Sequence, residues 1–229
     1  PNNHRVYAIG DIHGCHAQLE NLLAHIIQDA QGYHGAVTLV FLGDYHNRGP
    51  ESSKVLETLR VPPWPASWQV VTLRGNHEQG LLDFLASPAR QPDWLGWGGL
   101  ETLASYNIAT YHQGRPRSPE SLAAELAEEL EGRGHKPLLD NTVLHHTVGD
   151  YLFVHAGVRP HVPLHRQIPT DLLFIRDDFV ARPHGLPYRI VFGHTIQPEP
   201  LIQPDRIGID TGAFQGGPLT ALRLESNTV

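Results

Sequence analysis

The stretch VTLVFLGDYHNRG, residues 37–49, joins a strand pattern to a loop with unusual chemistry. Its first six residues are apolar or β-branched, which is typical of a buried β-strand. The carboxylate of Asp44 follows the strand, and the guanidinium of Arg48 follows four residues later. A carboxylate can bind a metal ion and a guanidinium can bind a phosphate group. This loop therefore predicts a site that holds both.

The same unit, a short apolar strand that ends in glycine beside a polar residue, recurs along the chain. It is found in RVYAIGD (5–11), QVVTLRGNH (69–77), DYLFVHAG (150–157), YRIVFGH (188–194) and DRIGIDTG (205–212). Helical patterns lie between the first three strands, in CHAQLENLLAHIIQDA (15–30) and in PESSKVLETLR (50–60). Strands that alternate with helices predict a partly parallel sheet.

The middle of the chain, residues 88–141, has a different pattern and is expected to be a helical insertion. Ser118 can cap a helix there, and Pro119 can be its first residue. Trp94 and Trp97 allow two interpretations. They can line a substrate cleft, or they can pack the insertion on the sheet, since large aromatic side chains dominate core burial.

Composition limits the possible classes of protein. The chain has 229 residues, a formal net charge of −7 and one cysteine, Cys15. Residues 1–229 are expected to form a single domain with a sizeable core. The acidic balance argues against a nucleic-acid partner, and one cysteine excludes an intramolecular disulfide. With no apolar run long enough to span a bilayer, we expect a cytoplasmic protein that does not associate with membranes.

Oxygen and imidazole donors follow most of the predicted strands. They are Asp11, His13, Asp44, Asn76, His77, His155 and His194. Open α/β sheets bind ligands at the carboxyl ends of their strands, so one fold can bring these side chains together. Mixed carboxylate, imidazole and amide donors suit Mn, Fe or Zn, and the absence of cysteine from the set argues against a structural zinc site. The set predicts a catalytic centre with two metals.

The ordered motifs GDIHG (10–14), GDYxxRG (43–49), RGNHE (74–78), HAG (155–157) and GHT (193–195) resemble the phosphoprotein phosphatase family of metallophosphoesterases. Its small bacterial members and their diadenosine tetraphosphatase relatives are the most similar. GIDTGAFQGGPLTAL (208–222) extends the likeness almost to the C-terminus. The resemblance implies an α+β fold of the calcineurin-like type, a four-layer α/β/β/α sandwich of two mixed sheets.

The resemblance also implies a ligand set for two divalent metal ions. Manganese is the first expectation, with iron, zinc or nickel as alternatives. The ligands of the first metal would be Asp11, His13 and Asp44, and Asp44 would bridge to a second metal held by Asn76, His155 and His194. In DIH, an extended backbone points Asp11 and His13 to the same side, because side chains alternate with period two.

Catalytic roles follow from the same resemblance. Two metals can bind phosphate oxygens and activate a bridging hydroxide that attacks phosphorus. His77 resembles the general acid that protonates the leaving group. Arg48, Arg74 and Arg176 would bind the phosphoryl oxygens, because guanidinium groups match the geometry of phosphate.

Two neighbouring residues depart from the family pattern. An aspartate that pairs with the general-acid histidine usually occupies the place of Asn47, and valine or isoleucine commonly occupies the place of His46. A neutral amide can orient the ring of His77 but offers it no compensating charge. Either the chain has diverged, as in the diadenosine tetraphosphatases, which also lack this acid, or the change is engineered. His46 could then act as a substitute proton donor.

Three functions are consistent with these residues. The first is a metal-dependent phosphomonoesterase acting on a phosphorylated protein or a small phosphoester, as the bacterial serine/threonine protein phosphatases do. GDY and GNHE favour this group. The alternative is a dinucleoside polyphosphate hydrolase, such as a diadenosine tetraphosphatase. A third possibility is an impaired variant or a phosphopeptide-binding protein, which only position 47 supports.

Overall fold

Two mixed β-sheets form the centre of the fold, in a computed structural model that describes residues 3–225. The first sheet contains β1 (His4–Ile9), β2 (Ala36–Phe41), β3 (Gln69–Thr72) and β11 (Ala221–Glu225). The second sheet contains β6 (His145–Val148), β7 (Tyr151–Val154), β8 (Arg189–Phe192), β9 (Leu201–Ile202) and β10 (Arg206–Gly208). The strands predicted from sequence all lie in these two sheets.

Both sheets have parallel centres, with one antiparallel edge in the first sheet and two in the second. The first has the order β11-β1-β2-β3, with β11 antiparallel to β1 and the other pairs parallel. The second has the order β6-β7-β8-β10-β9, with antiparallel pairs at both edges. The carboxyl ends of β1, β2 and β3 therefore share one edge, as do those of β7 and β8. This arrangement is what the strand-end motifs require.

Alternating side chains divide the interior into layers. In β1, Val6 and Ala8 lie in the core between the two sheets, while Tyr7 and Ile9 pack against the helices on the other side. Phe153 of the second sheet belongs to the same inter-sheet core. The period of two in a β-strand accounts for this division, because successive side chains point to opposite faces.

Helices cover the outer faces of the sheets. Those that contribute to the core on the outer face of the first sheet include α1 (His16–Asp29), α2 (Ser52–Arg60), α3 (Asn76–Ala86) and α5 (Pro119–Gly132). The second sheet packs its outer face against shorter helices, α7 (Pro169–Phe174) and α8 (Asp177–Val180). The layers are helix, sheet, sheet and helix, which confirms the four-layer sandwich.

The segment 88–141 is largely helical. It contains a π-helical turn (Leu95–Gly99), α4 (Leu100–Ser105), α5 and α6 (His135–Asp140), and also a short hairpin of β4 (Tyr111–His112) and β5 (Arg115–Pro116) that the sequence pattern does not predict. The Ser118 hydroxyl accepts a hydrogen bond from the Ser121 amide, and α5 begins at Pro119, as predicted. That this segment is an insertion into one domain stays a prediction.

None of the helices within residues 3–225 has the length and apolar character that a bilayer-spanning helix needs.

Candidate functional site

The predicted metal ligands lie together at the carboxyl ends of strands from both sheets. Asp11, Asp44 and Asn76 follow β1, β2 and β3, whereas His155 and His194 follow β7 and β8. All five side chains are buried. The topology therefore collects residues that are up to 183 positions apart in the chain, such as Asp11 and His194, whose amide donates to the Asp11 carboxylate at 2.9 Å.

Asp44 occupies the centre of the site. The donor atoms of His13, Asp44 and His77 lie within 4.8 Å of one another, and so do those of Asp44, His155 and His194. The Asp44 Oδ2 atom is 3.4 Å from His13 Nε2, and its Oδ1 atom is 3.5 Å from His155 Nε2. One carboxylate thus faces both donor groups, which is the geometry that a ligand shared by two cations needs.

Backbone hydrogen bonds orient two of the imidazoles. The Nδ1 atom of His13 lies 3.0 Å from the His46 carbonyl oxygen, and the Nδ1 atom of His155 lies 2.8 Å from the Leu42 carbonyl oxygen. Because a carbonyl only accepts, each Nδ1 carries the hydrogen in the neutral ring. Each Nε2 therefore carries a lone pair on the side of the Asp44 carboxylate, and the Nε2 atom of His13 also accepts a hydrogen bond from Arg48 Nη1 at 3.1 Å. This tautomer is the usual one of a metal-binding histidine.

Several acceptors converge here without a donor between them. The Oδ1 atom of Asn76 is 3.0 Å from the Nε2 atom of His155, which carries a lone pair and no hydrogen. The Oδ1 atom of Asp11 and the Nε2 atom of His194 are buried and have no hydrogen-bond partner among residues 3–225. Buried polar atoms are rarely left unpaired, and a cation between these acceptors would satisfy them. The residues therefore fit a divalent metal centre, although Asp11 lies outside the two closest donor groups.

The shifted pKa values of the buried carboxyls and imidazoles also indicate a cation site. Burial raises the pKa of Asp11, helped by the nearby carboxyls of Asp210 and Asp44. Burial also raises the pKa of Asp44, and it lowers the pKa of His155 to about 3 and that of His194 to about 2. Without a cation, the carboxyls favour the neutral acid and the imidazoles the neutral base. A bound cation would favour the carboxylates and would leave the imidazoles unprotonated, so protons and metal compete for the carboxyls.

Glu78 stabilises the loop that carries Asp44. Its carboxylate accepts hydrogen bonds from the backbone amides of Asp44 at 2.7 Å, Tyr45 at 2.8 Å and Gly75 at 2.8 Å. Asp44 has a left-handed backbone, with φ 54°, and needs such support. The motif GNHE contains Glu78, but sequence reasoning gave this residue no role.

Position 47 faces the predicted general acid. The amide nitrogen of Asn47 donates to the Nδ1 atom of His77 at 3.0 Å. The amide oxygen of Asn47 accepts from the Thr102 hydroxyl at 2.7 Å and lies 2.6 Å from His46 Nδ1. Thr102, which comes from α4 and was not predicted, also accepts a hydrogen bond from the Asn47 backbone. The hydrogen of the neutral His77 ring is therefore on Nε2.

His46 has a different place from the one expected. The ring is fully buried, contacts Asn47 through Nδ1, and has its Nε2 atom 3.5 Å from Glu78. It is not one of the described residues that line the cavity. The structure therefore gives His46 no access to a substrate, so the idea that it replaces His77 as proton donor is not supported.

A cavity of about 690 Å³ opens beside the metal-ligand cluster. Its lining includes Arg48, His77, Trp97, Arg176, His194 and Phe214. Arg48 places its guanidinium 4.5 Å from the ring centre of Phe214, and Arg176 donates to the carbonyl of His194 at 2.9 Å. The two arginines thus face the cavity, and their contact with phosphate stays a prediction. Phe214 was missed, because an aromatic residue within GAFQGG carries no signal of its own.

Arg74 does not reach this cavity. Its guanidinium donates to the side chains of Thr142 at 2.9 Å and Gln79 at 3.3 Å, and to the carbonyl of Asp140 at 3.2 Å. It ties the end of β3 to residues 140–142. The backbone turns the side chain towards those neighbours, and Arg74 is not among the described residues that line the cavity, so its predicted contact with phosphate is without structural support.

The two tryptophans of the middle segment take separate roles. Trp94 is 1% exposed and stacks on Phe84, with ring centres 4.8 Å apart, so it belongs to the core. Trp97 is 38% exposed and lines the cavity, with its ring centre 6.1 Å from that of His77. Each of the two interpretations of the sequence therefore holds for one residue.

This chain is similar to known phosphoesterases along almost its whole length. The family profile of calcineurin-like phosphoesterases matches residues 4–213. A symmetrical bis(5'-nucleosyl)-tetraphosphatase of Neisseria meningitidis is 30% identical, over 97% of this chain and 93% of its own length. An asymmetrical bis(5'-nucleosyl)-tetraphosphatase, PrpE of Anoxybacillus flavithermus, is 28% identical, over 94% of this chain and 88% of its own. A crystal structure provisionally named a diadenosine tetraphosphatase superimposes with a TM-score of 0.64 and 25% identity, covering 96% of this chain and 89% of that one.

Replacing the shared carboxylate tests the metal centre. Asp44→Asn keeps the shape of the side chain and tolerates the left-handed backbone, but it removes the charge between the two donor groups. We expect the protein to lose at least one equivalent of bound Mn²⁺, measured by elemental analysis after loading and desalting. The exposed Asp93→Asn serves as the charge-matched control and should bind the wild-type amount. Equal metal content in Asp44→Asn and the wild type would contradict the shared-ligand geometry.

Proposed function

Because this chain belongs to the calcineurin-like phosphoesterase family and is a metal-dependent phosphoester hydrolase, we propose that its substrate is a dinucleoside polyphosphate. The relatives reported above are named as tetraphosphatases and align along almost the whole chain. They favour this alternative over the phosphomonoesterase and protein phosphatase expectation. The assignment as a hydrolase also argues against the hypothesis that the protein only binds phosphopeptides.

The contact between Asn47 and His77 is the observation on which the proposal depends. The amide nitrogen of Asn47 faces His77 Nδ1, and no carboxylate contacts that atom among residues 3–225. Burial, with the nearby His13 and Arg48, lowers the pKa of His77. A neutral imidazole donates a hydrogen bond through Nε2 but gives up that proton poorly. The site is therefore better suited to a leaving group that needs no proton.

Substrate chemistry follows from that constraint. Hydrolysis of a serine phosphate releases an alkoxide, which is strongly basic and depends on a general acid. Cleavage within a polyphosphate chain releases a nucleotide phosphate, which is much less basic and can leave as an anion. His77 would then stabilise the leaving oxygen by a hydrogen bond instead of protonating it. A phosphoanhydride thus matches Asn47, whereas a phosphomonoester calls for a carboxylate there.

The remaining groups bind and orient the phosphates. Arg48 and Arg176 would hold the phosphoryl oxygens, since charge-assisted hydrogen bonds from guanidinium groups are strong and directional. The proposed ligands are Asp11, His13 and Asp44 for one cation, and Asp44, Asn76, His155 and His194 for the other. Of these, Asp44 and the three histidines belong to the two closest donor groups. Manganese is the proposed metal, with iron, zinc or nickel as alternatives, because carboxylate, imidazole and amide donors suit these ions. When bound, the cations would supply Lewis-acid stabilisation and an activated water.

A substrate comparison tests the proposal. With Mn²⁺ present, we expect the kcat/KM for diadenosine tetraphosphate to exceed that for a phosphoserine peptide by at least ~10²-fold, the lower end of the range that general-acid catalysis contributes. Chromatography of the products separates symmetrical cleavage, which gives two ADP, from asymmetrical cleavage, which gives ATP and AMP. Faster turnover of the phosphopeptide would restore the phosphatase interpretation.

The exchange Asn47→Asp should separate the two leaving-group classes. Aspartate tolerates the left-handed backbone of position 47, where φ is 70°, and would stabilise a protonated His77. We expect kcat for alkyl phosphomonoesters to rise by roughly 10- to 10³-fold, the range of general-acid catalysis, with a much smaller effect on diadenosine tetraphosphate. Asn107→Asp, at an exposed left-handed position, is the control and should change neither rate. An equal effect on both substrates would contradict the leaving-group argument.

Removing one guanidinium should weaken phosphate binding. For Arg48→Ala we expect kcat/KM to fall by ~10²-fold, since a hydrogen bond to a charged group contributes about 1.5 to 3 kcal/mol. Arg74→Ala is the matched control, because its guanidinium is directed at residues 140–142. A similar loss in both variants would show that the effect is structural.

A further inference from the structure

One glycine of the cavity wall is not required by the fold. In the π-helical turn Leu95–Gly99, Gly98 has φ 100° and a Cβ there would meet the Arg48 amide at 2.3 Å. A Cβ on Gly99 would meet the Trp94 ring at 2.6 Å. Gly96 has helical backbone angles, and a Cβ on it would meet none of the described residues within 4 Å. The backbone of Gly96 accepts any residue, although glycine lowers helix stability relative to alanine.

The space beside Gly96 belongs to the substrate cavity. Gly96 and Trp97 both line it, together with Leu95 and Leu100 from the same segment. Because Gly96 lines the cavity and a Cβ on it would meet no described residue within 4 Å, a side chain at position 96 would take up open space at this wall. The missing Cβ therefore matters to whatever enters the cavity, and not to the folded chain.

Trp97 provides an ordered aromatic surface next to this space. One edge of its indole packs on α3, where a Cβ added to Gly80 would lie 2.9 Å from the ring. The ring stands edge-on to His77, with 62° between the two planes, and it remains 38% exposed. An aromatic ring that is held at one edge and open elsewhere can stack against a planar ligand at little entropic cost.

We propose that a nucleobase of the substrate stacks on Trp97 and fills the space left open by Gly96. This inference rests on the proposed function. The phosphates would lie at Arg48, whose backbone amide donates to the Gly98 carbonyl at 3.4 Å, so the loop that carries Arg48 contacts the turn that carries Trp97. Residues 96 and 97 then set the preference for nucleotides over small phosphoesters, because base stacking on an aromatic side chain adds affinity that a small ester cannot obtain.

Two substitutions test this placement of the base in different ways. Gly96→Ala fills the space, and Trp97→Ala removes the surface. In both variants we expect the ratio of kcat/KM for diadenosine tetraphosphate to kcat/KM for p-nitrophenyl phosphate to fall about 10-fold. Trp97→Phe keeps a ring and should restore much of the ratio. Gly132→Ala is the matched control, because that glycine is also helical and a Cβ on it would meet no described residue within 4 Å.

The outcomes separate this inference from the proposed function. A wild-type protein that does not hydrolyse diadenosine tetraphosphate contradicts both. A wild-type protein that hydrolyses it, with the wild-type ratio retained in Gly96→Ala and Trp97→Ala, contradicts only the placement of the base. Thermal unfolding of Gly96→Ala at or above the wild-type temperature would confirm that the lost ratio does not come from a damaged fold.

Discussion

The position of the Asp44 carboxylate is the constraint on which the site depends. The residue stands at the end of β2 with a left-handed backbone, and Glu78 holds its amide in place. The carboxylate faces His13 on one side and His155 on the other. Since β2 is a central strand of the first sheet, the burial that stabilises the sandwich also fixes this carboxylate. The same strand end thus contributes both to the stability of the sandwich and to the geometry of the site.

The strand-end donors were predictable because their signal is local. An apolar run that ends in glycine and a polar residue identifies a buried strand and its loop, and parallel strands bring such loops to one edge. Asp11, Asp44 and His194 could be found in this way. The two-sheet arrangement was not contained in that pattern, which predicts only a partly parallel sheet, and came from the resemblance of the ordered motifs.

Other parts of the site depend on contacts between distant segments, which no local pattern shows. Thr102 supports Asn47 from a helix 55 positions away. Phe214 lies under Arg48 although 166 positions separate them. Arg74 follows a strand like the ligands do, yet its side chain turns to residues 140–142. For such residues, the direction of the side chain is decided by the neighbours that the whole fold provides.

The ligands proposed for the metals come from both layers of the sandwich. The first sheet supplies Asp11 and Asp44, and the second supplies His155 and His194. A cation held among them fastens one sheet to the other at a shared edge. An unfolded chain cannot gather these groups, so binding favours the folded state by mass action. With a cation bound there, the concentration of free metal in the surroundings would become a thermodynamic variable of folding, and the heat tolerance of this protein would depend on the chain and its ions together.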